Sequence, residues 1–202
     1  MIKVDSDKLE IIKKEALDNF VPIISDESLD FIKVMLMIIK PKKILEIGTA
    51  VGYSASNFCS CLDEDSHITT IERNDRRFKE ATKNINELNL NKNVEILFGD
   101  ALDVLPQLKE NSFDVIFIDA AKGQYIKFLE EAKRLGHNGS VIIADNVLFH
   151  GLTLSDYNEH RNRTAVTRLR KFIDLINTDK ELRSTLIKIG DGITVSYLNK
   201  NI

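Results

Sequence analysis

Apolar residues in the first forty positions recur at helical spacing: Leu9, Ile12 and Ala16 share one face, and Leu29, Ile32, Leu36 and Ile39 another. Pro22 and Pro41 punctuate these runs, because proline cannot continue a helix interior. From Lys43 the pattern changes to short apolar runs separated by longer amphipathic stretches, which predicts parallel strands with crossover helices and an α/β fold. Strands are expected at residues 44–47, 68–72, 94–98, 115–119 and 141–145, with helices at about 54–62, 76–88, 102–108 and 126–135. Residues 147–164 then read as irregular and 164–176 as helical. Two β-rich runs over 185–198 are joined at Gly190-Asp191-Gly192, a hairpin signal because Asp-Gly supplies the positive φ such turns need. The sheet is therefore expected to be mostly parallel, with an antiparallel element at its C-terminal end.

The chain has 202 residues, 43% hydrophobic and 29% charged, which is enough for one domain with a real core and excludes disorder and fibrous classes. The longest apolar run, Val34 to Ile39, is far shorter than the roughly 20 residues that span a bilayer. The first residues lack the apolar stretch of a secretory signal, so a cytoplasmic protein is expected. A formal charge of −3 excludes indiscriminate coating of nucleic acid and leaves such a role to local patches. Cys59 and Cys61 lie two apart in a predicted helix, poorly placed to pair, and without further Cys or His spacing they read as inert thiols.

Ligands of open parallel sheets bind beyond the carboxyl ends of the strands, so the residues that end each run carry the chemistry. The first run leads into Glu46-Ile-Gly48-Thr-Ala-Val-Gly52-Tyr-Ser54, a turn whose glycines let a ligand approach the backbone. The second ends in Glu72, placed to accept both ribose hydroxyls of a nucleoside. Ala50 and Tyr53 stand where the dinucleotide fingerprint needs glycines, which disfavours NAD. After the third run, Asp100 of Gly99-Asp100-Ala101 can accept from an adenine amino group or cap the next helix; both hold only if its oxygens divide the work.

The fourth and fifth runs end in Asp119-Ala-Ala-Lys122 and Asp145-Asn146. Two carboxylates and an amide carbonyl without His or Cys suit Mg²⁺, Ca²⁺ or Mn²⁺ and leave half an octahedron for water and substrate. The alternative is that these residues merely cap the following segments and form a turn. Lys122 is close enough to reach the same site. Beside a divalent cation and partly desolvated, its pKa should fall, making it a candidate base for a hydroxyl; alone, such a loop lysine is solvated surface.

Taken together these residues resemble the class I S-adenosylmethionine (SAM)-dependent, divalent-metal-dependent O-methyltransferases of the catechol and caffeoyl-coenzyme A type. The resemblance runs from the helices before Pro41 to the final hairpin. It rests on Ile44 to Ser54, Glu72, Gly99-Asp-Ala101, Phe117-Ile-Asp-Ala-Ala-Lys122, Ala144-Asp-Asn146, Leu169-Arg170 and Ile189-Gly-Asp-Gly192. It implies a Rossmann-like, doubly wound sheet of seven strands with the last antiparallel. An N-terminal helical extension would cover 1–41 and the methyltransferase domain 42–202. It implies cofactor contacts at Ile24, Glu46, Gly48, Ser54, Glu72, Asp100, Ala101 and Asp119, with Glu72 on the ribose, Asp100 and Ala101 near adenine, and Ser54 near the methionine part. Asp119, Asp145 and Asn146 would hold the cation, Lys122 and Asp119 would be catalytic, and the protein would be a homodimer.

A metal-assisted transfer favours substrates with two vicinal oxygens, which catechols and 5-hydroxyuridine both offer. The stretch from Asp119 to Tyr125 looks most like the bacterial branch that methylates 5-hydroxyuridine at the tRNA wobble position. Between His160 and Ile173 the chain carries Arg161, Arg163, Arg168, Arg170 and Lys171 without an acidic residue, a strip suited to phosphates of an anticodon stem-loop or simply a solvated helix face. Phe149 and Tyr157 can stack a splayed base or pack down on the domain. The expectation is a tRNA methyltransferase, with a small phenolic substrate as one alternative and a non-catalytic RNA-binding module as another.

Overall fold

A computed structural model describes residues 1–156 and 162–201 of the chain. Tyr157 and Arg161, two of the residues considered for RNA contact, lie outside the described residues. The chain divides into two compact units, Met1–Leu105 and Pro106–Ile202.

The first unit contains, in order, α1 (Ser6–Asp18), α2 (Asp26–Ile39), β1 (Lys43–Ile47), α3 (Tyr53–Cys59), β2 (His67–Glu72), α4 (Asp75–Glu87), β3 (Val94–Phe98) and α5 (Ala101–Val104). Local chemistry sets the helix ends. Asp5 opens α1 by accepting from the Asp7 and Lys8 N–H groups at 3.1 and 3.2 Å, and Ser25 opens α2 through Ser28 N–H at 3.2 Å. Each such cap stabilises a helix by about 1 kcal/mol. Lys40, in the left-handed region at φ 52°, closes α2 just before Pro41. The predicted apolar faces are the buried ones: Leu9, Ile12 and Ala16 on α1, and Leu29, Ile32 and Leu36 on α2. Both helices pack on α3.

Within this unit β1 pairs with β2 and β2 with β3, all parallel. β1 is buried from its second residue on, while β3 is largely open to solvent. The helix expected over 102–108 stops at Val104 and continues only as a 3-10 turn, Leu105–Gln107, since Pro106 has no N–H to extend the ladder. Cys59 and Cys61 are both buried and free, and burial, reinforced by the negative charge of Glu46, pushes the Cys59 thiol up to about 12.

The second unit contains β4 (Phe113–Ile118), α6 (Tyr125–Leu135), β5 (Gly136–Ala144), α7 (Arg163–Thr178), β6 (Leu182–Ile187) and β7 (Ile193–Leu198). β4 and β5 are parallel, and β7 runs antiparallel to both β5 and β6. The near-continuous apolar runs of β4 and β5 are buried, as expected of parallel strands covered on both faces. At the hairpin, the positive φ angles fall on Gly190 (54°) and Gly192 (85°), so the glycines on either side, rather than Asp191, turn the chain. Gly192 is also required by space, because a Cβ there would stand 2.3 Å from Leu148 Cγ.

The strand order is β3-β2-β1 in the first unit and β4-β5-β7-β6 in the second, seven strands in the mostly parallel α/β architecture expected, with helices preceding the first strand. Among the described residues no helix is long and apolar enough to cross a membrane.

Candidate active site

In the first unit the turn after β1 is built around two buried carboxylates. Glu46 is fully buried, receiving Ser54 Oγ–H on one oxygen and Thr70 Oγ–H on the other, each at 2.5 Å. The parallel register that places Glu46 opposite Thr70 makes the second bond. Gly48, Ala50 and Gly52 all take positive φ (109°, 48° and 79°), and Asn84 on α4 donates to Val51 O at 2.9 Å, pinning the turn. A left-handed alanine costs on the order of 1 kcal/mol; here it directs the Ala50 N–H onto Glu72.

Glu72, 6% exposed at the end of β2, accepts Ala50 N–H on Oε2 and Asn74 N–H on Oε1, both at 2.8 Å. A carboxylate offers about four acceptor positions, so two backbone bonds fix its orientation and leave capacity on both oxygens for a ligand's hydroxyls. Asp100 takes the capping role: Oδ1 caps α5 through Leu102 N–H at 3.0 Å, while Oδ2 lies 3.3 Å from Arg73 Nη1. Ala101 is the first residue of α5, and Ile24 is buried in the connector between α1 and α2.

In the second unit Asp119, Lys122, Asp145 and Asn146 come together. Asp145 N–H donates to Ile118 O at 3.0 Å, placing Asp145 immediately beyond the carboxyl end of β5 and Asp119 just beyond that of β4. Asp145 is fully buried, and its Oδ1 accepts Asn146 N–H at 2.8 Å. Lys122 Nζ donates to Asn146 Oδ1 at 2.9 Å and to Tyr125 Oη at 3.0 Å, and lies 3.4 Å from Asp119 Oδ1. The lysine is thus held among three oxygens, with a side chain only 18% exposed. It is not solvated surface.

Tyr125 was not singled out by the sequence reading, although it ends the quoted Asp119-to-Tyr125 stretch. Its buried hydroxyl accepts from Lys122 and donates to Asp145 O at 2.8 Å, tying the lysine to the backbone of the β5 end. Burial, then the negative charges of Asp119 and Asp145, push the phenol well above its ordinary pKa. The available signal was a tyrosine three residues after the lysine on a helix start; buried tyrosines usually need a partner for the hydroxyl.

The donor set of Asp119, Asp145 and Asn146 fits a hard divalent cation, since Asp119 and Asn146 already turn side-chain oxygens to one positive charge, the Lys122 ammonium. Among the described residues no group of three or more His, Cys, Asp and Glu gathers. Arg168 donates to Gly123 O at 2.9 Å, and Arg170 donates to the carbonyls of Leu152, Thr153 and Ser155. Arg163 and Lys171 are exposed.

The O-methyltransferase family model matches residues 4–198. The chain is 33% identical over 162 residues to the catechol O-methyltransferase of Niastella koreensis, covering 79% of this chain and 72% of that protein. An O-methyltransferase structure from Bacillus cereus in complex with SAH superposes with a TM-score of 0.86 at 31% identity, covering 96% of this chain and 92% of that one. The O-methyltransferase TomG from Streptomyces achromogenes, involved in tomaymycin synthesis and in complex with SAM, gives 0.85 at 26% identity, covering 98% and 92%.

Proposed function

The chain belongs to the O-methyltransferase family, and from that premise we propose that it transfers the methyl group of SAM to a hydroxyl whose neighbouring oxygen shares a divalent cation. The observation that carries this reading is the seating of Lys122 Nζ among Asn146, Tyr125 and Asp119. Asp119, Asp145 and Asn146 would hold Mg²⁺, or Mn²⁺ or Ca²⁺, which when bound would supply the charge that acidifies the accepting hydroxyl, and SAM would supply an electrophilic methyl. Glu72 receives the ribose hydroxyls on its remaining acceptor positions. Asp100 and Ala101 border the adenine, and Ser54, its proton engaged by Glu46, turns an acceptor oxygen toward the methionine ammonium. The Ile24 backbone, Gly48 and Asp119 complete the cofactor contacts. Lys122 Nζ, as the neutral amine with its lone pair turned to the substrate, would receive the hydroxyl proton, with Tyr125 setting its position.

For the substrate we propose 5-hydroxyuridine of tRNA, supported by the Asp119-to-Tyr125 stretch and by exposed Arg163 and Lys171 on α7. The kinship to a catechol O-methyltransferase supports a small vicinal diphenol as the second reading. Mass spectrometry of tRNA nucleosides from cells lacking the protein separates them: 5-methoxyuridine-type nucleosides should give way to 5-hydroxyuridine. In vitro, turnover on hypomodified tRNA should fall steeply as salt rises, whereas turnover on catechol should not. An unchanged nucleoside profile alongside salt-insensitive catechol turnover would transfer the assignment to the small phenol.

The proposed homodimer has a natural face on α2 and the end of α1. Val34 (55%), Met37 (46%), Ile38 (70%) and Phe20 (93%) are exposed apolar residues there. Val34→Lys with Ile38→Lys should lower the mass in sedimentation equilibrium from dimer to monomer, and an unchanged mass would place the dimer contact elsewhere.

A further inference from the structure

Lys122 stands on a one-turn 3-10 helix, Lys122–Gln124, closed internally by Gln124 N–H to Ala121 O at 2.8 Å. So short a turn has poor intrinsic stability, and α7 supports it from outside. Arg168 Nη1 donates to Gly123 O at 2.9 Å. A Cβ at position 123 would stand 2.8 Å from that same Nη1, so a side chain there would push the guanidinium away from its present contact. One turn further along α7, Phe172 meets the Tyr125 ring edge-on, with centroids 5.5 Å apart. Two residues of one helix therefore grip the segment, one at Gly123 beside the lysine and one at its hydrogen-bond partner Tyr125. Arg170, from the same helix, fastens the 152–155 turn through three backbone carbonyls.

We propose that Arg168 is a positioning residue for Lys122: by holding the Gly123 carbonyl it fixes the turn from which Nζ reaches Asn146 and Tyr125. Its predicted kinetic effect rests on the methyl-transfer reading above, whereas the geometric claim stands apart from it. An arginine that looks like part of a phosphate-binding strip is, on this account, part of the architecture of the proton-handling side chain. A displacement of about 1 Å at such a group can cost about 10²-fold in rate.

The test uses the full chain and acetic anhydride at a single pH, with acetylation of each lysine followed by peptide mass spectrometry. Arg168→Ala and Gly123→Ala should each raise the rate at Lys122 several-fold, and the double variant should exceed neither, because both break one contact. Arg168→Lys should restore part of the protection, since an ammonium can still donate to the carbonyl. Lys133, on α6 and paired with Asp179 and Glu181 beyond α7, serves as the control and should not change. With catechol as probe, kcat should fall about 10- to 100-fold while KM and SAM affinity stay near wild type. Unchanged acetylation of Lys122 in Arg168→Ala, additive effects of the two variants, or an equal rise at Lys133 would each overturn the proposal. A wild type that fails on catechol but shows the Lys122 pattern would uphold the positioning and count against the phenolic substrate instead.

Discussion

Asp145→Ala should lower kcat for methyl transfer by roughly 10³-fold or more, while SAM affinity stays within a few-fold of wild type. The side chain is fully buried, and its Oδ1 holds the Asn146 backbone N–H, so the substitution removes one hard donor and loosens the residue that supplies another. A bound cation supplies several kcal/mol of stabilisation to such a reaction, and each 1.36 kcal/mol is tenfold in rate. The stranded N–H costs a further 1–3 kcal/mol or so of stability. Asp145→Asn keeps an acceptor for that N–H and loses only the charge, so it separates the two effects. Kinetics with catechol or hypomodified tRNA, Mn²⁺ affinity by electron paramagnetic resonance and SAM binding by calorimetry check the prediction together. Full activity with unaltered Mn²⁺ affinity would remove Asp145 from the metal site.

The second large effect is on the cofactor. Glu72→Gln should weaken SAM binding by about 10²-fold or more, because hydrogen bonds to a charged acceptor contribute about 1.5–3 kcal/mol each and 1.4 kcal/mol is tenfold in affinity. The geometry adds a second cost to the lost charge. Both carboxylate oxygens already face backbone N–H donors, from Ala50 and Asn74, so one of them must meet the new side-chain NH₂. The turn carrying Gly48 and Gly52 should loosen with it. Calorimetric titration with SAM reads the affinity, and circular dichroism verifies that the fold persists. Unchanged affinity would show that the ribose lies elsewhere.

Much of the site was readable because strand ends are readable. Continuous apolar runs such as Val115 to Ile118 and Val141 to Ala144 mark buried parallel strands, and the polar residues directly after them, Asp119 and Asp145, stand at the carboxyl ends. Whether Asp100 would cap a helix or face outward was open in the sequence, since both roles use the same side chain; the fold assigns Oδ1 to the cap. Pro106 explains the shortened helix after β3, a local rule that periodicity alone overrode. Tyr125 and the arginines of α7 were beyond reach. The importance of each depends on which carbonyl or ammonium lies opposite, and for Arg168 and Gly123 that partner is 45 residues away in the chain.

The order of apolar runs, with turn glycines and hard oxygen donors at strand ends, by itself determined an α/β sheet and the identity of most candidate side chains, because those signals are local and periodic. Only the tertiary structure decided that Lys122 is held rather than solvated, that Tyr125 anchors it, and that Arg168 and Arg170 donate to backbone carbonyls. Hydrogen bonds are directional and short-ranged, so their partners exist only once packing has brought distant segments together.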